Sequence, residues 1–308
     1  MSEPAVVVVF APSGYGKTVD ALYSAATAPF FTPAPGGLTP ARALLGFMPL
    51  EIRVNSIAQA TTAIRAYVQK NGKPSALVLD DFSITAERSH YALDKAGMKG
   101  WGVWQKLARD VMDLRELALD LGVTLIITCH EAQPKTADSG VFTAGGPKMP
   151  SAAMIATLPH VATLVLRGVK DAFVQAPEWS GAYSCDPSDG RWVTKDRFCV
   201  VPKVAPMNVR EILRQARRIG HDVIVPPRAR GLEWLDTVAE QIADGLASNR
   251  WPSTAVAAQA LAANAKALPS QDPRHLRWAW RDGCARHKLR TTGASQELFG
   301  MFSPPTAA

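Results

Sequence analysis

Ala5-Val6-Val7-Val8-Val9-Phe10 is an unbroken apolar run near the start of the chain, and it has no polar face. Such a run predicts a strand buried on both sides, as in the middle of a parallel sheet. A glycine-rich turn follows at once, and residues 18–25 then take up a helical pattern. The same order returns further on. Ala76-Leu77-Val78-Leu79 ends on Asp80-Asp81, residues 103–121 carry the period of an amphipathic helix, and residues 124–128 form a third buried run. This alternation predicts an α/β fold with a mainly parallel sheet flanked by helices, whose ligands bind beyond the carboxyl ends of the strands. Ala11, Asp80 and Thr128 stand at such ends.

Between these elements the pattern is weaker. Breakers over 28–40 predict a loop, residues 43–47 and 52–54 read as short strands, and Ser56 caps a helix running to about 69. Residues 132–159 are rich in Gly, Pro, Ser, Thr and Ala and exceed an ordinary connection, which predicts a functional or mobile loop. Strand patterns at 161–167, 172–175 and 192–201 extend the sheet with antiparallel strands at its late edge. The rest is a helical tail, over 209–218, 232–247, 254–268 and 272–281, the last with Asp272 as cap and Pro273 in its first turn. Residues 303–308 form a frayed end. Pro226-Pro227 marks the expected boundary between a core of residues 1–225 and a basic helical C-terminal extension of residues 226–308.

Composition narrows the class. Apolar residues make up 47% and charged residues 20%, which suits a globular protein with a sizeable core. No apolar run approaches the roughly 18 to 20 residues that span a bilayer, and the first residues carry an acid instead of a basic leader, so a cytoplasmic location without a membrane partner is expected. Cys129, Cys185, Cys199 and Cys284 lack a Cys-x-x-Cys spacing, which argues against a zinc cluster or disulfide framework. A net charge of +7 favours a polyanionic partner.

The candidate chemistry begins after the first strand. Ala11-Pro12-Ser13-Gly14-Tyr15-Gly16-Lys17-Thr18 matches a P-loop except that alanine replaces the first glycine. Its backbone N–H groups would face the phosphates of ATP, Lys17 would neutralise β/γ oxygens, and the Thr18 hydroxyl would ligate Mg²⁺. Asp80 ends an apolar strand, where a Walker B carboxylate holds Mg²⁺. The carboxylate that orients the attacking water is Asp81, directly beside it, or Glu51 at another strand end. Thr128-Cys129-His130-Glu131 has the form of a γ-phosphate sensor, with Thr128 and His130 as its members.

These segments, with Gly145-Gly146-Pro147-Lys148-Met149-Pro150 and Thr194-Lys195-Asp196-Arg197, resemble the RecA-fold phage ATPases of the Sak single-strand annealing group, within the wider RecA, RadA and DnaB-like superfamily. The resemblance spans roughly residues 5 to 245. It implies a RecA-like P-loop NTPase core that assembles as a homo-oligomeric ring or filament. Lys195 and Arg197 would then reach into a neighbour's nucleotide site. It also implies a role in DNA recombination by annealing or strand exchange on single-stranded DNA, possible alongside a single-strand binding protein or other recombination partner, in the host cytoplasm of a phage. Loop residues Lys135 and Lys148 would meet DNA, or the loop would serve as a lid or subunit contact. In the tail Arg274, Arg277 and Arg281 share a helical face, with at most one of Trp278 and Trp280 pointing the same way, which reads as a nucleic-acid surface or as a packed core. The alternatives are a helicase or packaging motor, and a nucleotide-gated binding module with little hydrolysis.

Overall fold

The computed structural model describes residues 3–34, 36–169, 181–248, 250, 256, 268–270 and 272–292. Its centre is β1 (Val6–Ala11), paired in parallel with β5 (Thr124–Ala132) on one side and β9 (Leu164–Val169) on the other. Beyond β5 lie β4 (Ala76–Leu79), β2 (Phe30–Thr32) and β3 (Glu51–Arg53), all parallel. Beyond β9 the sheet turns antiparallel through β10 (Ala182–Ser184) and β12 (Val204–Pro206), with β11 (Lys195–Asp196) also on β9. The expected fold class, mainly parallel with an antiparallel late edge, is present.

The period of two along β1 divides the core. Ala5, Val7 and Val9 face a layer shared with α1 (Lys17–Ser24), α7 (Val209–Arg218), α8 (Trp234–Ala247) and α9 (Pro273–Thr292). Val6, Val8 and Phe10 face the opposite layer, under α3 (Ile57–Asn71), α4 (Phe82–Lys95), α5 (Trp101–Leu121) and α6 (Ala152–Val161). A strand between two helical layers must be apolar on both faces, as the sequence of β1 is. No helix among the described residues is long and apolar enough to cross a membrane.

Caps set several helix starts. Ser56 accepts a hydrogen bond from the Gln59 N–H at 3.1 Å, as its position before the helical pattern predicts. Asp272 accepts from the Arg274 N–H at 2.9 Å, with Pro273 first in α9. Elsewhere local patterns mislead. Residues 43–47 overlap a short helix, α2 (Pro40–Leu45), whose Ala41 and Leu45 are buried; Pro40 at its first position and Gly46 at its end are the signals that outrank the apolar run. Within 28–40, expected as loop, Phe30 and Phe31 enter the sheet as β2. Residues 132–159 hold a hairpin of β6 (Lys135–Thr136) and β7 (Phe142–Thr143), then β8 (Gly146–Pro147) on β5, then the start of α6. Only Lys195 and Asp196 of the strand expected over 192–201 are strand.

The strand expected at 172–175, most of the helix expected at 254–268 and the end at 303–308 lie outside the described residues. Apolar residues beyond the expected boundary near Val225 pack against the sheet. Leu235, Val238, Ile242, Trp278 and Leu289 share one apolar layer with β1 and α1.

Candidate functional site

β1 ends at Ala11 and the chain then reverses through Gly14 and Gly16, at φ +78° and +88°. A Cβ on Gly14 would meet nothing within 4 Å, so the left-handed backbone, not crowding, calls for glycine there. Ala11 poses the opposite problem. A Cβ built on Gly168 of β9 would lie 2.7 Å from the Cβ of Ala11. Glycine on the neighbouring strand therefore makes room for the alanine that stands where a P-loop begins with glycine.

α1 starts directly at Lys17. Its Nζ folds back to donate to the carbonyls of Ala11 at 2.9 Å and Pro12 at 3.0 Å. Burial lowers its pKa, against the pull of Asp81 and Asp80, which favour the charged form. The Thr18 hydroxyl donates to Asp80 Oδ2 at 2.8 Å, and the Thr128 hydroxyl donates to Asp80 Oδ1. Because β5 lies between β1 and β4, its Thr128 can hold the Asp80 carboxylate while the P-loop threonine holds its other oxygen.

Asp81 faces two ways. One oxygen caps α4 by accepting the Ser83 N–H at 2.7 Å, and the other lies 2.7 Å from His130 Nε2. Burial raises its pKa, His130 opposes, and the neighbouring Asp80 adds to the rise. The Ser83 hydroxyl in turn accepts the His130 N–H at 2.9 Å. Lys17, Thr18, Asp80, Asp81 and His130 line one pocket of about 390 Å³ together with Thr32, Pro33, Ala34 and Gly37.

This cradle suits a nucleoside triphosphate with Mg²⁺. The turn and the start of α1 supply backbone N–H groups, Lys17 supplies a cation, and Thr18 with Asp80 supplies hard oxygen donors. The volume is that of a small-molecule site. Among the described residues no group of three or more His, Cys, Asp or Glu is placed to hold a metal, so a cation here would rest on Thr18, Asp80 and the nucleotide itself.

No family model matches this chain. No curated protein matches it either. Among solved structures it is similar to a KaiC-like protein of the hyperthermophilic archaeon Pyrococcus horikoshii, at 16% identity and a TM-score of 0.37, over 63% of this chain and 83% of that one.

The other expected site residues are spread widely. Glu51 is at the first position of β3, level with Phe30 and Val78, below the strand end that carries Asp80. Its carboxylate accepts the Gly36 N–H at 3.2 Å, and it is not among the residues lining the pocket. Lys195 pairs with Val165 and donates from Nζ to the Pro159 carbonyl, while Arg197 is exposed beside Thr163. Both run toward the amino-terminal end of the sheet, away from their own P-loop. Lys135 is exposed on the β6–β7 hairpin with Phe142, which is 50% exposed. Lys148 is half exposed and ion-paired with Glu87 at 2.9 Å.

The tail requires a correction. Arg281, expected on a nucleic-acid surface, is buried: it donates to Asp20 of α1 at 2.6 Å and to the Met207 carbonyl. Trp278 and Trp280 are buried with it. Arg277 remains exposed, and Arg274 grips Asp272 with its guanidinium. Burial of Arg281 follows from Asp20, a carboxylate on the hidden face of α1 that only tertiary packing could show to be its partner.

One cluster had no signal in the local sequence. Arg167 of β9 is 2.7 Å from Glu131 at the end of β5, and its guanidinium lies 3.3 Å above the Trp192 ring. Trp192 packs on Gly145, where a Cβ would come within 2.5 Å of the indole. The end of β5, just past Thr128 and His130, is thereby fastened through Arg167 to the segment before β11.

Proposed function

We propose that this chain is a RecA-like P-loop ATPase acting on single-stranded DNA in recombination, by annealing or strand exchange. The observation that carries the nucleotide part is the junction of Thr18, Asp80 and Thr128, with Lys17 beside it at the carboxyl end of adjacent strands. In this reading Lys17 and the backbone of the turn bind the phosphates, Thr18 and Asp80 hold Mg²⁺, and Asp81 orients water with His130 as its partner. Glu51 is the weaker candidate for the base because its register sets it below the pocket. Thr128 and His130 link the site to β5 and the hairpin beyond it, where Lys135 and Phe142 offer a cation and a stacking face to single strands.

The register of β11 sets Lys195 and Arg197 toward the amino-terminal end of the sheet, so a role in hydrolysis would be exerted on a neighbouring subunit. Homo-oligomer formation is part of the proposal. Mixing Arg197→Ala with Lys17→Ala protein should restore part of the activity that each lacks, because some interfaces then pair an intact P-loop with an intact finger.

The deciding experiment is ATPase activity with and without single-stranded DNA. Strong stimulation supports a DNA-coupled ATPase, and no ATP binding at all refutes the reading. A second reading, a nucleotide-gated switch with slow turnover, is favoured by the engagement of both Asp81 oxygens. Tight ATP binding with no stimulated turnover would select it.

A further inference from the structure

A second cavity, of about 480 Å³, lies between α7, α8 and α9 and shares no residue with the P-loop pocket. Arg214, Arg217, Arg218, Arg286 and Arg290 line it with Glu211 and Glu240, and Asp236 and Asp244 also stand in ion-pair contact with Arg214, Arg286 and Arg290. The arginines are not equivalent. Arg286 is saturated by Glu211 at 2.9 Å and Glu240 at 2.7 Å, and Arg290 is held by Glu240 and Asp244. Arg217 and Arg218 are exposed, and their side chains have no hydrogen-bond or ion-pair partner among the described residues.

Cations in the last turn of a helix complement its dipole, and α7 ends on these two. That accounts for positive charge at the terminus. It does not account for the cavity beside them, which α9 lines with the ion-paired Arg286 and Arg290 and which Leu289 and Val225 make partly apolar. Planar, permanently charged, fork-shaped donors around a partly apolar recess match phosphate oxygens attached to an organic group.

We propose that this cleft is a second phosphate-binding site, with Arg217 and Arg218 as its primary contacts. The phosphates could come from the backbone of a single-stranded nucleic acid or from a free polyphosphate compound, and the test separates the two. The inference deepens the nucleic-acid part of the proposed function and is independent of ATP binding at the P-loop.

The full chain, in a Lys17→Ala background that weakens phosphate binding at the P-loop, is titrated without nucleotide against two probes, a labelled oligothymidine and inorganic tripolyphosphate, over a range of salt concentrations. Each phosphate neutralised on a single strand contributes about 0.7 to the slope of log affinity on log salt, so Arg217→Ala with Arg218→Ala should flatten the slope by about 1.4. Oligonucleotide affinity at low salt should fall by roughly tenfold or more. Thermal melting should stay near the parent, since both side chains are exposed. A control pair, Arg53→Ala with Arg65→Ala, removes two exposed arginines from elsewhere and should leave the slope closer to the parent's. Loss confined to tripolyphosphate assigns the cleft to free phosphates. If the parent binds oligonucleotide and the cleft variant does so with equal affinity and slope for both probes, this inference fails while the nucleic-acid reading stands. If the parent binds neither probe, both fail, and an equal loss in the control pair also overturns the site.

Discussion

Lys17 and Arg281 are both buried cations, 8% and 6% exposed, and both serve α1. Arg281 comes from α9 to meet Asp20 at 2.6 Å and lies 4.8 Å above the Tyr23 ring, so its charge is answered inside the protein. Lys17 is held by two backbone carbonyls and, among the described residues, by no carboxylate in ion-pair contact. The same pairing distinguishes the regions around them. Behind α1, Arg210 and Arg228 meet Asp236, and Arg228 also meets Asp282, in a closed ionic network. In front of it the cradle keeps Lys17, Thr18, Asp80 and Asp81 about an open pocket. Buried charge with a partner fixes structure, and buried charge left over at a cavity is available to a ligand.

The largest expected effect tests the closed side of that comparison. Arg281→Met leaves Asp20 buried with its ion-pair partner removed, and breaking such a pair costs about 3–5 kcal/mol. Urea unfolding should show it. Asp20→Asn combined with Arg281→Met removes both charges and should recover part of the loss. A single variant within about 1 kcal/mol of the parent would mean the network contributes no structural constraint.

On the open side the expected effects fall on chemistry. Asp81→Asn keeps a side chain that caps α4 but cannot act as a base, so steady-state hydrolysis should drop by about a hundredfold or more while ATP binding survives. Glu51→Gln should hydrolyse near the parent rate. The reverse outcome would return the base to Glu51 and require the β3 edge to approach the nucleotide. Lys17→Ala comes next in size. The loss of charged hydrogen bonds to phosphate, about 1.5–3 kcal/mol, weakens ATP binding by roughly ten- to a hundredfold. Its melting curve should stay close to the parent's, in contrast to Arg281→Met. Unchanged ATP affinity in Lys17→Ala would falsify the nucleotide site itself.

The sequence made one side of the comparison legible and hid the other. β1, the turn, β4 ending on Asp80 and β5 with Thr128 could be read because each depends on neighbours in sequence: a doubly apolar run, glycines at positive φ, a carboxylate at a strand end. Glu51 could not be ranked against Asp81, because its level in the sheet is set by pairing with Phe30 and not by anything local. Gly168 gave no hint that it accommodates Ala11. The tail misled most. Arg274, Arg277 and Arg281 follow helical spacing, but whether an arginine meets water or Asp20 depends on an element 261 residues away. The short β2 and α2 failed for a related reason: runs of three and six residues carry too little periodicity to separate strand from helix.

The smallest effect distinguishes the two regions by the sign of their response to acid. Burial alone would raise the pKa of Asp236, but the hydrogen bond from Arg210 and the charges of Arg228 and Arg214 hold it well below its usual 3.8. Its contribution to stability is therefore complete above the unfolded value and is lost as pH falls toward the folded one. Asp81 moves the other way. Burial, with Asp80 beside it, raises its folded pKa above 3.8 despite His130, so ionised Asp81 costs stability once pH rises through that value. Asparagine removes both charges and keeps the side-chain size. At about pH 7 Asp236→Asn should melt below the parent, by a few degrees, and the deficit should begin to shrink toward about pH 3 as the carboxyl protonates in the unfolded parent while it stays ionised in the fold. Asp81→Asn should melt at or slightly above the parent near neutrality, with the difference closing in acid. Melting temperatures of the three proteins across that range decide the matter. Two deficits of the same sign would show that Asp81 belongs to a structural network like that of Asp236, and the proposed division between the closed and open regions would not extend to the carboxylate beside the P-loop pocket.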